Sequence, residues 1–497
     1  MELGTCFNGA NVNQKMFLSD PITQKSIHFP SSWLNPLNFS FPAKRICSCR
    51  AIAKGSTISS LKTQEKVTRM SSNHSQDLEL SSLSALYVHW TVVIWIKWLI
   101  KMSRIPQIVE VPSFSEGAHM DDALEVKKIE RVTNHDVKAV EFFLKQRCQS
   151  HLQISKVLEF FHFACTSKDI NNLAHALMLK GALNTVILPV MDELIKAICE
   201  HGHNKFFCSH AFSHPWTFFP TPASQTTLGK EMAVFAYRLS RERREISQIE
   251  MLGKFAVAVG NYNAHVAAYP EINWPEIAEE FVISLGLKFN PYVPEIETHD
   301  YMAKLFHSIV QFNNILTTKA GEIGSSTMPQ KVNSIDFENS EGNLGVAIGD
   351  LSHLSTKPPI SRWQRDLTDS TVLRNMGVGL GHSLLAYKSA LQGIKKLQVN
   401  EAVLMEDLDK TWEVLDEPIQ MEMRRYGVPV PYEKLKELTR GRAVIKESIR
   451  EFIQNMEIPV DAKISLLNLT PHTYFGTAAD LAKNVNEAIN LLNGGHI

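Results

Sequence analysis

The sequence predicts an all-α protein, and three observations carry that expectation. Past its first segment, apolar residues recur at steps of three and four, the spacing of one helical face. Alternating apolar and polar runs are scarce, and no strand–helix–strand rhythm is visible. At 497 residues, 44% hydrophobic and 21% charged, the chain has the length for two or three domains and an ordinary globular composition. The formal net charge of -1 gives no general field toward nucleic acid or membrane surfaces, so an anionic ligand must be held by a local basic cluster. Seven cysteines, an odd number without a CxxC pair, point to free thiols in a reducing compartment.

The elements follow in chain order. Residues 1–74 are rich in Ser, Asn, Lys and Pro, and the acids up to Asn73 are Glu2, Asp20 and Glu65. Lys15, Lys25, Lys44, Arg45 and Arg50 are spread among them, with no continuous apolar run behind the start. That is the composition of an organelle transit peptide, with the chloroplast stroma expected before mitochondrion or cytosol. Residues 83–100 approach the length of a membrane span, but they carry His89 and Lys97, so a buried or partly buried element is expected. Val126, Ile129, Thr133, Val137, Val140 and Leu144 then form one stripe, which predicts a helix. Pro189 must kink or split the helical segment 170–200, because it has no N–H to give to the preceding turn. Residues 270–294, with several prolines, read as a connection between long helices, and Ile445, Ile449 and Phe452 repeat the helical spacing near the other end.

Four segments carry chemistry. In GSSTMPQKVN (324–333), Gly321 and Gly324 make the chain pliable and Pro329 breaks any helix, while Ser334 is placed to cap the helix that follows. A serine serves as a base only where its alkoxide is stabilised, by an ammonium such as Lys331 or by backbone N–H groups. On the residues alone, a plain polar loop is the stronger reading. In HFACTSKDINN (162–172), Thr166 and Asp169 have capping-box spacing and Ile170 opens an apolar helix. Such a helix start suits a carboxylate, although a simple cap explains the same residues. In SRWQRDLTDSTVLRN (361–375), Arg365, Ser370 and Arg374 gather near a helix start, with Ser370 and Arg374 on one face. Arginine forks there receive a phosphate dianion, with a solvated helix end as the alternative. In ERVTNHDVKAV (130–140), His135 beside Asp136 is by itself an ordinary histidine. His201, His203, Cys208, His210 and His214 match no zinc spacing, so no metal is expected. Gly377, Gly379 and Gly381 follow no strand, so they form no dinucleotide fingerprint and instead fit close helix packing.

GSSTMPQKVN resembles the signature loop of the fumarase/aspartase superfamily, Gly-Ser-x-x-Met-x-x-Lys-x-Asn, whose fixed positions are met by Gly324, Ser325, Met328, Lys331 and Asn333. The Thr166 segment is similar to the superfamily's Thr-Ser-x-Asp region. Residues 361–375 resemble the phosphate segment of its adenylosuccinate lyase branch, and His135–Asp136 the His-Asp-Val element of the same branch. TTLGKEMAVFAYRLS, VGNYNAH and RRYGVPVPYEKLKELTRGRAV extend the likeness over most of residues 105–485, toward the bacterial-type and plant members. The resemblance implies a three-domain architecture: 75–165 N-terminal, 166–396 a central bundle of long helices, and 397–497 C-terminal. It also implies a homotetramer with shared active sites. The implied reaction removes fumarate from adenylosuccinate to give AMP, and from SAICAR to give AICAR. No cofactor and no metal are implied, and the partners are small molecules rather than nucleic acid or membrane. By the same resemblance Ser325 is the base, Lys331 and Asn333 hold a substrate carboxylate, and Thr166 and Ser167, assisted by Asn171, hold the succinyl carboxylate. His135 and Asp136 line the nucleotide pocket, and Arg365, Ser370 and Arg374 hold the AMP phosphate.

The chain departs from that pattern in four places. The family's Ser-Arg-Thr-His-Gly-Gln element, which carries the general acid, is replaced in AFSHPWTFFPTPASQTTLGKE, where the acid's position falls on Phe219. His214, five residues earlier, is the candidate substitute. An N-terminal Ser-Pro-Leu-Asp-Gly-Arg-Tyr element is absent, a helix-length stretch is missing between Leu316 and Thr317, and Glu295 stands where the family has a substrate-binding glutamine. Whole segments lost between near-intact flanks point to skipped exons or a faulty gene model rather than drift. Two other readings stay open at this point: an argininosuccinate lyase-like enzyme, which needs no phosphate site, and a catalytically impaired relative.

Overall fold

A computed structural model of the chain describes residues 75–108, 123–203, 209–213, 222–317, 335–360, 364, 368–439 and 444–492. Helices dominate them, joined by two short two-stranded sheets. The described residues divide into two compact units: those within 96–161 belong to one, and 75–95 together with those from His162 onward belong to the other. Helix α1 (Ser75–Ser103) contains the apolar stretch 83–100, and its Trp95 and Trp98 are fully buried.

In the first unit the predicted single stripe is two helices, α2 (Ala123–Thr133) and α3 (Asp136–Cys148). The break falls at Asn134, whose φ of 50° is left-handed, a conformation asparagine tolerates better than most residues. Its N–H still reaches Glu130 O at 2.8 Å, closing α2, and His135 then caps α3. The stripe survives the break as a pattern of burial, since Val126, Val137, Val140 and Leu144 are all buried. A buried carboxylate, Glu141, is paired with Lys138 at 2.8 Å and with Lys145 at 3.0 Å, as a charge in that position must be. Short 3-10 turns follow at Ile154–Lys156 and Leu158–His162.

The second unit opens with α4 (Ser167–Ala182), which runs through a π-helical turn (Leu183–Ile187) into α5 (Leu188–His203). The kink expected at Pro189 takes this form: the widened turn precedes the proline, where a regular helix would need its missing N–H. By length and composition the run 167–202 is the one described helix that could cross a membrane. Half of an apolar 18-residue stretch within it is buried inside the fold, as in the core helix of a bundle. An antiparallel hairpin, β1 (Ser209–Ser213) with β2 (Pro222–Thr227), has a register irregularity between Ala211 and Ser213. Its second strand enters α6 (Leu228–Ser247), whose cap Thr227 accepts the Lys230 N–H at 3.1 Å. Next come β3 (Leu252–Gly253), α7 (Asn263–Ala268), α8 (Trp274–Ser284) and β4 (Lys288–Phe289), which pairs parallel with β3. The proline-bearing stretch 270–294 is therefore not a bare connection. Pro275 sits in the first turn of α8, where its lack of an N–H costs nothing.

Three more helices complete the bundle: α9 (Asp300–Thr317), α10 (Ile335–Thr356) and, after the one-turn α11 (Asp369–Leu373), α12 (Met376–Lys396). Helices α5, α6, α9, α10 and α12 pack in a closed ring, each against the next. Gly379 lets α12 approach α10, since a Cβ there would lie 2.8 Å from Leu351 Cδ2, whereas Gly381 faces open space. Inside the ring, Asn313 of α9 is fully buried and bonded to Ser383 Oγ (3.0 Å) and Tyr387 Oη (2.5 Å) of α12. The remaining elements are α13 (Glu401–Asp409), a 3-10 turn (Trp412–Leu415), α14 (Asp416–Arg425), α15 (Pro431–Thr439), α16 (Lys446–Asn455), α17 (Val460–Asn468), α18 (Ala478–Lys483) and α19 (Val485–Leu492). A separate apolar cluster joins α14, α15, α16 and α17 through Ile419, Met423, Leu435, Ile449, Ile453 and Leu466. Ile445, predicted on the inner stripe of α16, is instead its exposed N-cap, and Ile453 takes the inner position. Helices α18 and α19 return to pack on α6. Cys148, Cys165 and Cys199 are buried and free, in keeping with the free-thiol expectation.

Candidate active site

The start of α4 is the part of the predicted site that the described residues give in most detail. Thr166 adopts the extended conformation of an N-cap, φ -114° and ψ 164°, and forms the expected capping box with Asp169. Its N–H donates to Asp169 Oδ2 at 2.8 Å, and its hydroxyl to the same oxygen at 3.3 Å. Asp169 is fully buried, and its other oxygen accepts the Lys254 ammonium at 2.8 Å and the Ala256 N–H at 3.0 Å. Lys254 is fully buried as well, and its ammonium also donates to Val257 O at 3.1 Å. One turn along α4, Asn172 holds the backbone of Lys254 from both sides. Its Oδ1 accepts the Lys254 N–H at 2.8 Å and its Nδ2 donates to Lys254 O at 3.1 Å.

This arrangement has an electrostatic consequence. An unpaired carboxylate in the first turn would oppose a second anion at the same helix end. Lys254 neutralises it, so the positive end of the α4 dipole is left to act on a ligand. Thr166 and Ser167 are half-buried at that end, and Asn171 accepts the Tyr87 hydroxyl at 2.6 Å. Aromatic rings enclose the loop side. His265 lies 4.5 Å from the Trp274 ring and edge-on to Phe255 and Tyr262. Burial pushes the His265 pKa down to about 4, against the pull of the Asp169 carboxylate, and pushes the Tyr262 phenol up to about 12. Both groups are therefore neutral at pH 7.

The other predicted residues fall into three groups. His135 and Asp136 act as a local helix cap: His135 Nδ1 accepts the Lys138 N–H at 3.3 Å, Asp136 Oδ1 accepts the Val137 N–H at 2.8 Å, and both side chains are exposed by 40% or more. Ser370 and Arg374 are one helical turn apart, as expected, but the helix is only the one turn of α11. Ser370 lies at that helix's start, as expected, while Arg374 caps its C-terminal end and leads into Asn375, the N-cap of α12. Ser325, Lys331, Asn333, Arg365, His214 and Phe219 lie outside the described residues, as does the leader 1–74. The residues that flank the His214 segment are described, since Ser213 pairs with Pro222 at the loop end of the hairpin. Glu295 donates its N–H to Gln364 Oε1 at 3.1 Å, which brings that position beside the 361–375 segment expected to hold phosphate. Among the described residues, no three His, Cys, Asp or Glu side chains are grouped to hold a metal.

Sequence reasoning missed Lys254, Asn172 and Tyr87. Lys254 had a readable signal: a lysine inside the apolar run Gly-Lys-Phe-Ala-Val-Ala-Val is buried only if a carboxylate meets it. Asn172 and Tyr87 had none, because their partners are distant in sequence.

Two family models match the chain, one described as "Lyase" over residues 107–323 and one as "Adenylosuccinate lyase C-terminal" over residues 361–475. The adenylosuccinate lyase of Haemophilus influenzae is 51% identical over 425 residues, covering 80% of this chain and 92% of that protein. That of Escherichia coli K12 is 50% identical over 419 residues, covering 78% and 90%. Among solved structures, a fumarate lyase from a Mesorhizobium species superposes with a TM-score of 0.63 at 14% identity, covering 84% of this chain and 97% of that one. A 3-carboxy-cis,cis-muconate lactonizing enzyme from Pseudomonas putida gives 0.62 at 16%, covering 82% and 95%. At such identities these two speak to the all-α fold alone, whereas sharing half of the aligned residues over at least 90% of the curated relatives' length speaks to descent. The chain belongs to the adenylosuccinate lyase family of the fumarase/aspartase superfamily.

Proposed function

We propose that this chain is a carbon–nitrogen lyase of purine biosynthesis, cleaving adenylosuccinate to AMP and fumarate and SAICAR to AICAR and fumarate. The observation that carries the reading is the start of α4. There a buried, charge-neutral Asp169–Lys254 pair holds Thr166, next to Ser167, at a positive helix end, in a chain half identical to curated adenylosuccinate lyases. Thr166 and Ser167, assisted by Asn171, receive the succinyl carboxylate, and Lys331 and Asn333 hold a substrate carboxylate. Arg365, Ser370 and Arg374 receive the phosphate, and His135 and Asp136 line the nucleotide pocket. Ser325 removes the Cβ proton. The electron pair left on that carbon forms the new C=C bond as the C–N bond breaks, and a general acid returns a proton to the departing nitrogen. His214 is assigned that last role, because the family's acid position falls on Phe219. The phosphate site favours this reaction over argininosuccinate cleavage. A homotetramer and a plastid address in residues 1–74 belong to the same reading, supported by the family resemblance and by the acid-poor leader.

The test is fumarate release from adenylosuccinate by the purified chain beside Ser325→Ala. Turnover that disappears in the variant supports the assignment. A soluble, folded chain that binds AMP but releases no fumarate would make it an impaired member of the family.

A further inference from the structure

A buried ion pair needs a reason, because apolar groups of the same shape usually hold a fold as well. Asp169 and Lys254 are each fully buried and lie on different elements, yet every described bond between them and their neighbours converges on one place. Asp169 Oδ2 fixes both the peptide N–H and the hydroxyl of Thr166, while Oδ1 holds Lys254 and the Ala256 N–H. Asn172 locks the Lys254 backbone to α4 by two further hydrogen bonds. The loop that supplies Lys254 is itself strained. Val257, whose carbonyl faces the ammonium, has φ 67°, and Tyr262 has φ 59°. A β-branched residue in the left-handed region is a genuine outlier, and strain of this kind persists where the surrounding structure over-determines it.

We infer that Lys254 is a positioning residue for the lyase reaction: through Asp169 it sets the orientation of Thr166 and Ser167, and with it the grip on the succinyl half of the substrate. The inference rests on the proposed lyase reading. It predicts a selective defect. The fumarate-binding half of the site depends on the pair, whereas the nucleotide half, assigned to the Arg365–Arg374 segment, does not.

The test uses the full chain and the double variant Lys254→Met/Asp169→Asn, which removes both charges and leaves neither buried alone. Titration calorimetry with fumarate and, separately, with AMP reads the two halves. The expected result is an affinity for fumarate lowered about tenfold, the scale of one lost charge-assisted contact, with AMP affinity unchanged within about twofold. Where the chain turns over, KM for adenylosuccinate rises with the fumarate constant. Asp169→Glu, which keeps the charge and moves it by one methylene, gives a smaller loss of the same selectivity and serves if the double variant does not fold. Equal losses for fumarate and AMP, or none for either, would overturn the inference and reduce the pair to a structural element. A parent chain that binds neither ligand and releases no fumarate would instead sink the lyase reading on which the inference stands.

Discussion

Replacing Gly260 by alanine is the sharpest steric test of the loop that delivers Lys254. Gly260 has φ 76°, and a Cβ built there lies 1.8 Å from Val293 O and 3.0 Å from the same carbonyl's carbon, both backbone atoms. Ordinary contact begins near 3.4 Å, so one of the two backbone segments must retreat by more than an ångström. Gly427 is the internal control. It has φ 68° just after α14, with Val428 N–H bonded back to Met423 O at 2.9 Å, and nothing lies within 4 Å of its Cβ position. Gly427→Ala therefore suffers only the left-handed penalty, about 1–2 kcal/mol. Gly260→Ala suffers that penalty and an overpacking cost of about 1–3 kcal/mol, so roughly 2–5 kcal/mol in total. Urea unfolding of both variants and the parent at one protein concentration reads the difference, provided the slope stays constant. The reasoning fails if Gly260→Ala costs no more than Gly427→Ala, since the close approach of the 260 and 293 backbones would then not exist in the protein.

Two further expectations concern buried polar groups. Tyr387→Phe removes the hydroxyl that donates to Asn313 Oδ1 at 2.5 Å inside the helical ring. An unsatisfied buried acceptor costs about 1–3 kcal/mol, to be seen as a lower urea midpoint, and an unchanged midpoint would mean that water or another donor reaches Asn313. His265 gives a pH dependence. Its folded pKa, about 4, lies below the usual value of 6.5, so the unfolded chain binds the extra proton first as pH falls. The stability is fully present above pH 6.5 and is lost between there and pH 4, by roughly 3 kcal/mol at 1.36 kcal/mol per unit. Stability measured at pH 7 and pH 4.5 for the parent and His265→Phe checks this; equal acid losses in the two would refute it.

How much of this was legible in the sequence depends on the range of the cause. Local causes were readable. Thr166 and Asp169 lie three apart, and their capping box is present as predicted. Pro189 lacks an N–H, and the helix deviates just ahead of it. Apolar spacing identified helices, but it could not find the break at Asn134, because the stripe keeps its phase across a single left-handed residue. Nor could it find α8, because proline marks a first turn as readily as a loop. Ile445 was misplaced for a related reason: periodicity does not mark where a helix begins, and this residue is the cap before the stripe. What stayed hidden was non-local. Nothing near Lys254 in sequence names Asp169 as its partner, and Tyr87 and Asn171 meet only after the chain has folded.

The departures from the family pattern bear on separate parts of the chemistry. Elimination needs a carboxylate grip, a base and an acid, and the proposed reading assigns them to different segments: the start of α4, the 324–333 loop, and the stretch between β1 and β2. The first is bonded throughout, with both charges of its buried pair satisfied, and its supporting loop holds Val257 and Tyr262 in the left-handed region. The third has lost the family's acid position to Phe219, while the two strands that bracket it still pair. Loss of a general acid typically costs a factor of about 10²–10⁴ in rate and leaves ground-state binding largely in place. Under the proposed reading the two properties are separable: affinity for the succinyl group is assigned to the start of α4, where the Asp169–Lys254 pair lies, and rate to the proton donor proposed at His214.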